Sequence, residues 1–232
     1  MPSSEYYLAS LVLAGGQSKR FGGNKLLSIH PGSKQALIAH CTDVLVNALS
    51  HVANTKDAKN DFPNVPLVVC GKWVDSVQSS LQPSSATVVY NENWGEGIAS
   101  SLRTGVIFWR DQPNIPTHLL VTLGDLASIN QDDFLQLIAA SRANPEHIIC
   151  STWSASSTES VGKSVNKRTV PAIFPRSAFT ELLSLTGDTG AKPIIAAWKN
   201  HGKVTDVSIP NAQYDIDTPQ DWDQWRSAAE GR

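Results

Sequence analysis

The stretch Leu8 to Lys25, LASLVLAGGQSKRFGGNK, constrains this chain more than any other. It opens as an apolar run, Leu8 to Leu13, with the length and content of a buried strand. The run breaks at Gly15-Gly16 into a loop that holds Lys19, Arg20, Gly22, Gly23 and Lys25. Glycine-rich backbone can expose its N–H groups, and such groups in a turn or at a helix start form an anion nest. Three cations, Lys19, Arg20 and Lys25, stand within seven residues and supply charge the nest does not reach. Together these features predict a polyphosphate site just after a strand. A basic surface turn is the plainer alternative, since glycine after a strand is common.

Bulk properties narrow the ligand. The chain has 232 residues, 41% hydrophobic and 17% charged, which is the composition of one large α/β domain with a real core. Its net charge of -2 gives no global basic field to attract nucleic acid, so the positive charge of the first loop is local and suits a small anion. No apolar run approaches the ~20 residues of a membrane span. The start, MPSSEYY, lacks the basic and apolar parts of a secretory signal. Cys41, Cys70 and Cys150 are scattered in apolar segments, which reads as buried free thiols in a reducing compartment. The expected location is the cytoplasm. The six histidines show no metal-ligand spacing.

The periodicity alternates strand and helix. Strands are expected at Leu8 to Leu13, Val65 to Cys70, Thr87 to Tyr90, His118 to Leu123, His147 to Thr152, Thr169 to Phe174 and Val204 to Ile209. Helices are expected at Ala36 to Leu49, Val74 to Leu81, Ile98 to Arg110, Asp132 to Arg142, Ser177 to Leu185, Ala191 to Trp198 and after Pro219. Asn54 to Asn64 and the Ser-, Lys- and Asn-rich Ser154 to Arg168 read as exposed loops. This order predicts a three-layer α/β/α, Rossmann-like fold in which a mostly parallel sheet has helices on both faces, with residues 1–232 forming a single domain. Ligands of such sheets sit outside the carboxyl ends of the strands. The loop Gly15 to Lys25, the loop Asn91 to Gly97, Asp125 and the pair Asp215/Asp217 all lie there.

The first loop is neither a Walker A sequence nor Gly-x-Gly-x-x-Gly, which weakens ATPase and dehydrogenase readings. No Gly-x-Ser-x-Gly elbow points to a serine hydrolase. What the loop does match is Leu-Ala-Gly-Gly-x3-Arg-x4-Lys, as Leu13, Ala14, Gly15, Gly16, Arg20 and Lys25. It resembles the signature of nucleotidyltransferases, in particular the molybdenum cofactor branch of MobA-like and MocA-like enzymes. Asn91-x2-Trp94-x2-Gly97-x3-Ser101-Leu102-x2-Gly105 is similar to that branch's segment after the third strand. Leu123-Gly124-Asp125 is similar to its metal-binding strand end. Gly187-Asp-x-Gly190-Ala191 and Asp215-Ile-Asp-Thr-Pro-x-Asp221 resemble its C-terminal motifs. The resemblance runs from Leu8 to Trp225. Three positions depart from the pattern: Gly15, where cytidylyltransferases carry Ala; Leu126-Ala127 in place of a bulky residue and proline; and Thr169-Val170-Pro171 in place of Gly-x-Pro.

The resemblance implies a nucleotide-diphospho-sugar transferase-like fold and a Mg²⁺-dependent transfer of an NMP group from CTP, with GTP next, to molybdopterin. Such a transfer brings two anions together, so catalysis is mainly charge neutralisation and in-line positioning. Lys25 is assigned to the α-phosphate and Arg20 to the β and γ groups. Leu13, Ala14, Gly15, Gly16, Asn91, Gly97 and Ser101 are assigned to the nucleotide, and Asp125 and Asp217 to Mg²⁺, a hard ion that prefers oxygen ligands. Asp215 is a further candidate ligand. Thr218, Pro219 and Asp221 have a separate explanation as a helix start. Two rival functions keep part of this picture: transfer to a sugar phosphate or another phosphorylated metabolite, and a non-catalytic nucleotide-binding accessory that serves a partner molybdoenzyme. Intact Arg20, Lys25, Asp125 and Asp217 favour an enzyme.

Overall fold

The computed structural model describes residues 6–54, 65–82, 85–155, 165–213 and 216–230. Strand β1 (Leu8–Ala14) is buried at every position, because both of its faces are covered by helices. It pairs in parallel with β2 (Leu67–Cys70) on one side and with β4 (His118–Leu123) on the other. Strand β3 (Thr87–Tyr90) extends the sheet beyond β2. Strand β6 (Val165–Pro175) runs antiparallel between β4 and β5 (Ile148–Ala155), and β7 (Val204–Ser208) closes the far edge parallel to β5. The order is β3-β2-β1-β4-β6-β5-β7. The chain therefore fills one side of β1 with β2 and β3 and then crosses back to place β4 on the other. The crevice at that switch, between the carboxyl ends of β1 and β4, is where a doubly wound sheet receives its ligand.

Successive residues of β1 feed opposite cores. Leu8 and Val12 pack with α1 (Leu37–Ala53), α2 (Val74–Ser80) and α4 (Gln131–Ala143). Ala9, Leu11 and Leu13 pack with α3 (Ile98–Arg110), α5 (Phe179–Leu183) and α6 (Lys192–Asn200). This period-two division is what a strand buried on both faces requires. A smaller third core gathers Leu37, Cys41, Ala127, Ile216 and Trp222 and docks α7 (Pro219–Glu230) beside the first loop, whose Phe21 packs against it. All three cysteines are free and buried, as expected. Among the described residues no helix is long and apolar enough to cross a membrane.

Most element boundaries agree with the sequence periodicity, and two do not. Ser154 to Arg168 was expected to be a loop, but both flanks belong to strands, with Thr152 opposite Arg168 and Trp153 opposite Lys167. Cross-strand partners replace a hydrophobic core there: the Lys167 ammonium sits 5.1 Å over the Trp153 ring, and Arg168 forms a two-pronged ion pair with Asp206 on β7. Residues 156–164, the middle of that expected loop, and most of the expected loop 54–64 lie outside the described residues. The expected helix Ser177 to Leu185 splits into a 3₁₀ turn, Arg176–Ala178, and the short α5. Its end tightens into i→i−3 bonds, with the Ser184 and Leu185 N–H groups donating to the Glu181 and Leu182 carbonyls.

A histidine pair underpins the C-terminal helix. His30, held in its loop by a hydrogen bond from its N–H to the Gln35 carbonyl, stacks on His40 of α1 with ring centroids 3.6 Å apart. Trp225 of α7 lies 5.2 Å from His30 and donates its indole N–H to Ser128. Burial pushes His40 down to about 4, helped by the neighbouring His30, and burial lowers His30 as well. A base whose folded pKa lies below its unfolded value makes the unfolded chain the better proton acceptor in between. Stability should therefore fall as the pH is lowered from 6.5 to about 4. Chemical denaturation across that window should show the slope, and His40→Phe should flatten it; an equal slope in the variant would remove His40 as its source.

Candidate active site

The loops at the carboxyl ends of β1 and β4 face a cavity of about 550 Å³. Leu13, Ala14, Gly15, Gly16, Arg20, Lys25, Gly97, Ser101, Asp125 and Asp217 all line it. Among the residues singled out from sequence, Asn91 sits behind this lining, and Asp215 lies outside the described residues. The lining is drawn from loops separated by nearly 200 positions of chain.

Lys25 is presented by a local device. The Asn24 side chain accepts a hydrogen bond from the Leu26 N–H at 3.2 Å and caps the 3₁₀ turn Lys25–Leu27. Leu26, buried beneath, pins that turn to the core. The Lys25 ammonium then lies 2.5 Å from Asp125 Oδ2 and 3.5 Å from Asp217 Oδ1, and donates to the Ile216 carbonyl at 2.7 Å. Burial works against its charge, but Asp125 and then Asp217 outweigh burial and hold the Lys25 pKa above its ordinary value. Asp125 is fixed where β4 ends: the Gly124 N–H donates to the Leu13 carbonyl, and a side chain on Gly124 would collide with Ile38.

Asp217 is delivered by the start of α7. Thr218 and Asp221 form a reciprocal cap: Asp221 Oδ2 accepts from the Thr218 N–H at 2.7 Å, and Thr218 Oγ1 accepts from the Asp221 N–H at 3.1 Å. The bond to the Thr218 side chain leads the effects that lower the Asp221 pKa. Asp217 stands just outside this cap. Its second oxygen meets Arg20 at 2.9 Å, so one carboxylate ties the first loop to the last helix. The Arg20 side chain is 72% exposed and open to solvent on the cavity rim.

These residues can hold a divalent cation. Asp125 and Asp217 converge on a single positive group, the Lys25 ammonium, and both offer hard oxygen ligands. No group of three or more His, Cys, Asp or Glu side chains suited to a metal occurs among the described residues. An ion held by two carboxylates would complete its shell with water and ligand oxygens, the habit of Mg²⁺ at phosphates.

A second group of lining residues is organised by close backbone packing. A Cβ on Gly15 would stand 2.5 Å from Ser101 Oγ. A Cβ on Gly71 would stand 2.5 Å from the Gly15 carbonyl oxygen and 2.6 Å from Trp94 Cβ. The Asn91 amide donates to Ser100 Oγ at 2.8 Å and to Ser101 Oγ at 3.1 Å, while its own oxygen accepts from the Asn93 N–H. Asn91 thus sets the Ser101 hydroxyl from behind. From sequence, Trp94 and Asp188 stand inside motifs without a role of their own, and Gly71 and Glu96 are given none. Gly71 does carry a signal, a glycine directly after a strand, matching Gly15 after its neighbour.

Gly71→Ala should lower stability by about 1–3 kcal/mol, the usual scale of overpacking, because its new methyl meets backbone that cannot rotate away. Thermal unfolding reads this directly. An unchanged midpoint would show slack between the ends of β1 and β2.

The sequence matches the MobA-like NTP transferase domain over residues 10–204. No curated protein matches it significantly. Among solved structures, the Rv0371c homologue of Mycobacterium sp. strain JC1 is 21% identical with a TM-score of 0.64, covering 95% of this chain and 96% of that one. A nucleotidyl transferase from Methanothermobacter thermautotrophicus is 18% identical with a TM-score of 0.67, covering 95% and 96%. Rv0371c of Mycobacterium tuberculosis in complex with manganese is 19% identical with a TM-score of 0.60, covering 95% and 98%. The domain match spans most of the chain, from within β1 to the start of β7, and so this nucleotidyltransferase belongs to the MobA-like NTP transferase family.

Proposed function

We propose that the chain is a Mg²⁺-dependent nucleotidyltransferase that moves an NMP group from a nucleoside triphosphate, CTP ahead of GTP, to molybdopterin and releases pyrophosphate. The observation that carries this reading is the placement of Lys25 between Asp125 and Asp217, with Arg20 on the same carboxylate, at the mouth of a cavity of nucleotide size. The cytoplasm is the proposed setting, and the whole chain is proposed to act as one domain.

In this reading the acceptor phosphate attacks the α-phosphorus and pyrophosphate leaves in line. Lys25 offers a cation to the α-phosphate, and its raised pKa keeps it protonated throughout the neutral range. Arg20, exposed and able to exchange Asp217 for an anion, neutralises the β and γ groups. Gly15 and Gly16, followed by the turn at Ser18 to Gly22, leave room for phosphate oxygens to approach main-chain N–H groups. Asp125 and Asp217 would hold Mg²⁺, which would supply positive charge against that developing on the phosphate groups.

Support for molybdopterin is the family match together with the C-terminal motifs at Gly187 to Ala191 and at Asp217 to Asp221. The donor base falls to Gly15 and Ser101. The absence of a methyl at position 15 leaves the Ser101 hydroxyl accessible beside the loop, with Asn91 fixing its acceptor side.

A thermal-shift panel of CTP, GTP, ATP and UTP with Mg²⁺ tests the donor. Ligand that binds only the native state raises the midpoint by linkage, so CTP should give the largest shift and GTP the next. No shift with any of the four would overturn the nucleotide site. In a pyrophosphate-release assay with molybdopterin as acceptor, Lys25→Ala should cut turnover by ~10²–10³, the scale of losing one charge-stabilising donor. A near-normal rate in that variant would remove Lys25 from the chemistry.

A further inference from the structure

The motif Gly187-Asp-Thr-Gly190 has no part in the phosphate chemistry above, yet it is clamped onto the cavity wall. Glu96 and Arg103 form a two-pronged ion pair, with oxygen to nitrogen distances of 2.8 and 2.5 Å. Glu96 also grips the motif's backbone, and Arg103 grips the chain two residues before it. Glu96 Oε1 accepts from the Gly187 N–H at 3.0 Å, and Arg103 Nη1 donates to the Leu185 carbonyl at 2.6 Å. The Gly187 carbonyl in turn accepts from the Ala99 N–H at 3.2 Å. The approach is close enough that a Cβ on Gly97, where φ is +126°, would stand 2.6 Å from the Gly187 oxygen and 2.7 Å from Asp188 Cα. The product of this clamp is the position of one side chain. Asp188 lines the same cavity as Gly97, Ile98 and Ser101. Its Oδ1 accepts a long hydrogen bond from the Ile98 N–H at 3.4 Å, and no other hydrogen bond or ion pair engages it among the described residues.

A carboxylate can only accept hydrogen bonds when ionised, so its ligand must bring donors. Phosphate groups bring like charge and no donors at neutral pH, and their cations stand elsewhere, at Lys25 and Arg20. Within a nucleotide the donors belong to the nucleoside: ribose hydroxyls and amino groups of the base. Building on the nucleotide site proposed above, we infer that Asp188 is a nucleoside-contacting residue that accepts hydrogen bonds from such donors, and that Glu96 and Arg103 are positioning residues that hold it on the wall. The acidic side chain also repels a triphosphate threaded the wrong way round, so it enforces one orientation.

Equilibrium dialysis of the full chain with Mg²⁺ and CTP, and in parallel GTP, tests this. Asp188→Ala should weaken binding about tenfold or more, the worth of a hydrogen bond to a charged group. The source of the donor is read from analogues. If the ribose supplies it, 2′- or 3′-deoxy nucleotides should bind the unsubstituted chain as weakly, and Asp188→Ala should erase that difference. If an amino group supplies it, Asp188→Ala should erase the preference for CTP over UTP or for GTP over ITP. Glu96→Ala should weaken binding in the unsubstituted background but add no further loss to Asp188→Ala, because a residue acting through another is not additive with it. Tight binding by the unsubstituted chain with equal binding by Asp188→Ala overturns this inference and leaves the nucleotide site standing. Fully additive losses for Glu96 and Asp188 overturn the positioning role. No nucleotide binding by the unsubstituted chain overturns both readings together.

Discussion

The site depends on how a nearly buried ammonium is kept charged. Lys25 has only 14% of its side chain exposed, and burial alone would favour its neutral form. Asp125, itself 11% exposed, and the more open Asp217 reverse that preference. Such an arrangement is valuable less as a net source of stability than as a constraint. Ion pairs of this kind roughly repay their own desolvation, whereas the loss of one partner strands a charge. The constraint here joins the loop after β1, the end of β4 and the start of α7, three segments that share no continuous backbone. Their relative position is what the proposed transfer would use.

Behind the charged groups the wall is set by steric fit. Gly15 and Gly71 lie where a single methyl would drive β1 and β2 apart or displace Trp94 and Ser101. Interiors pack to crystal-like density, so such positions leave little freedom to drift. Asn91 adds polar definition without facing the cavity, since both neighbouring serine hydroxyls are bound to its amide. Close-packed backbone thus forms the wall beneath, while the exposed Arg20 stands at the rim on Asp217.

Much of this was legible from residues alone, for identifiable reasons. The central strands were read closely because burial on both faces makes them uninterrupted apolar runs, as in Leu8 to Leu13 and His118 to Leu123. The first loop stood out because glycines and cations cluster there, and Gly15, Gly16, Arg20 and Lys25 do line one cavity. Thr218, Pro219 and Asp221 announced a helix start, and the observed cap has that geometry. The inner halves of β5 and β6 were legible, but the outer half of their ladder was hidden because it is held by Trp153, Lys167, Arg168 and Asp206, pairs with no periodic apolar signal. The clamp of Glu96 and Arg103 was hidden for another reason. A charged pair seven residues apart, Glu96 in the turn before α3 and Arg103 on it, looks like ordinary surface until the backbone it grips, around position 187, is brought beside it by folding.

The ion pairs of Asp217 with Arg20 and Lys25 join residues 192 or more positions apart in the chain. Closing so long a loop costs entropy that is repaid only once the intervening sheet exists. On the ribosome, β1 and its basic loop emerge long before the carboxylate of Asp217 that balances them. The cationic loop therefore waits through the synthesis of the whole intervening sheet for its second counter-charge, and the ion pairs can close only once that sheet has formed.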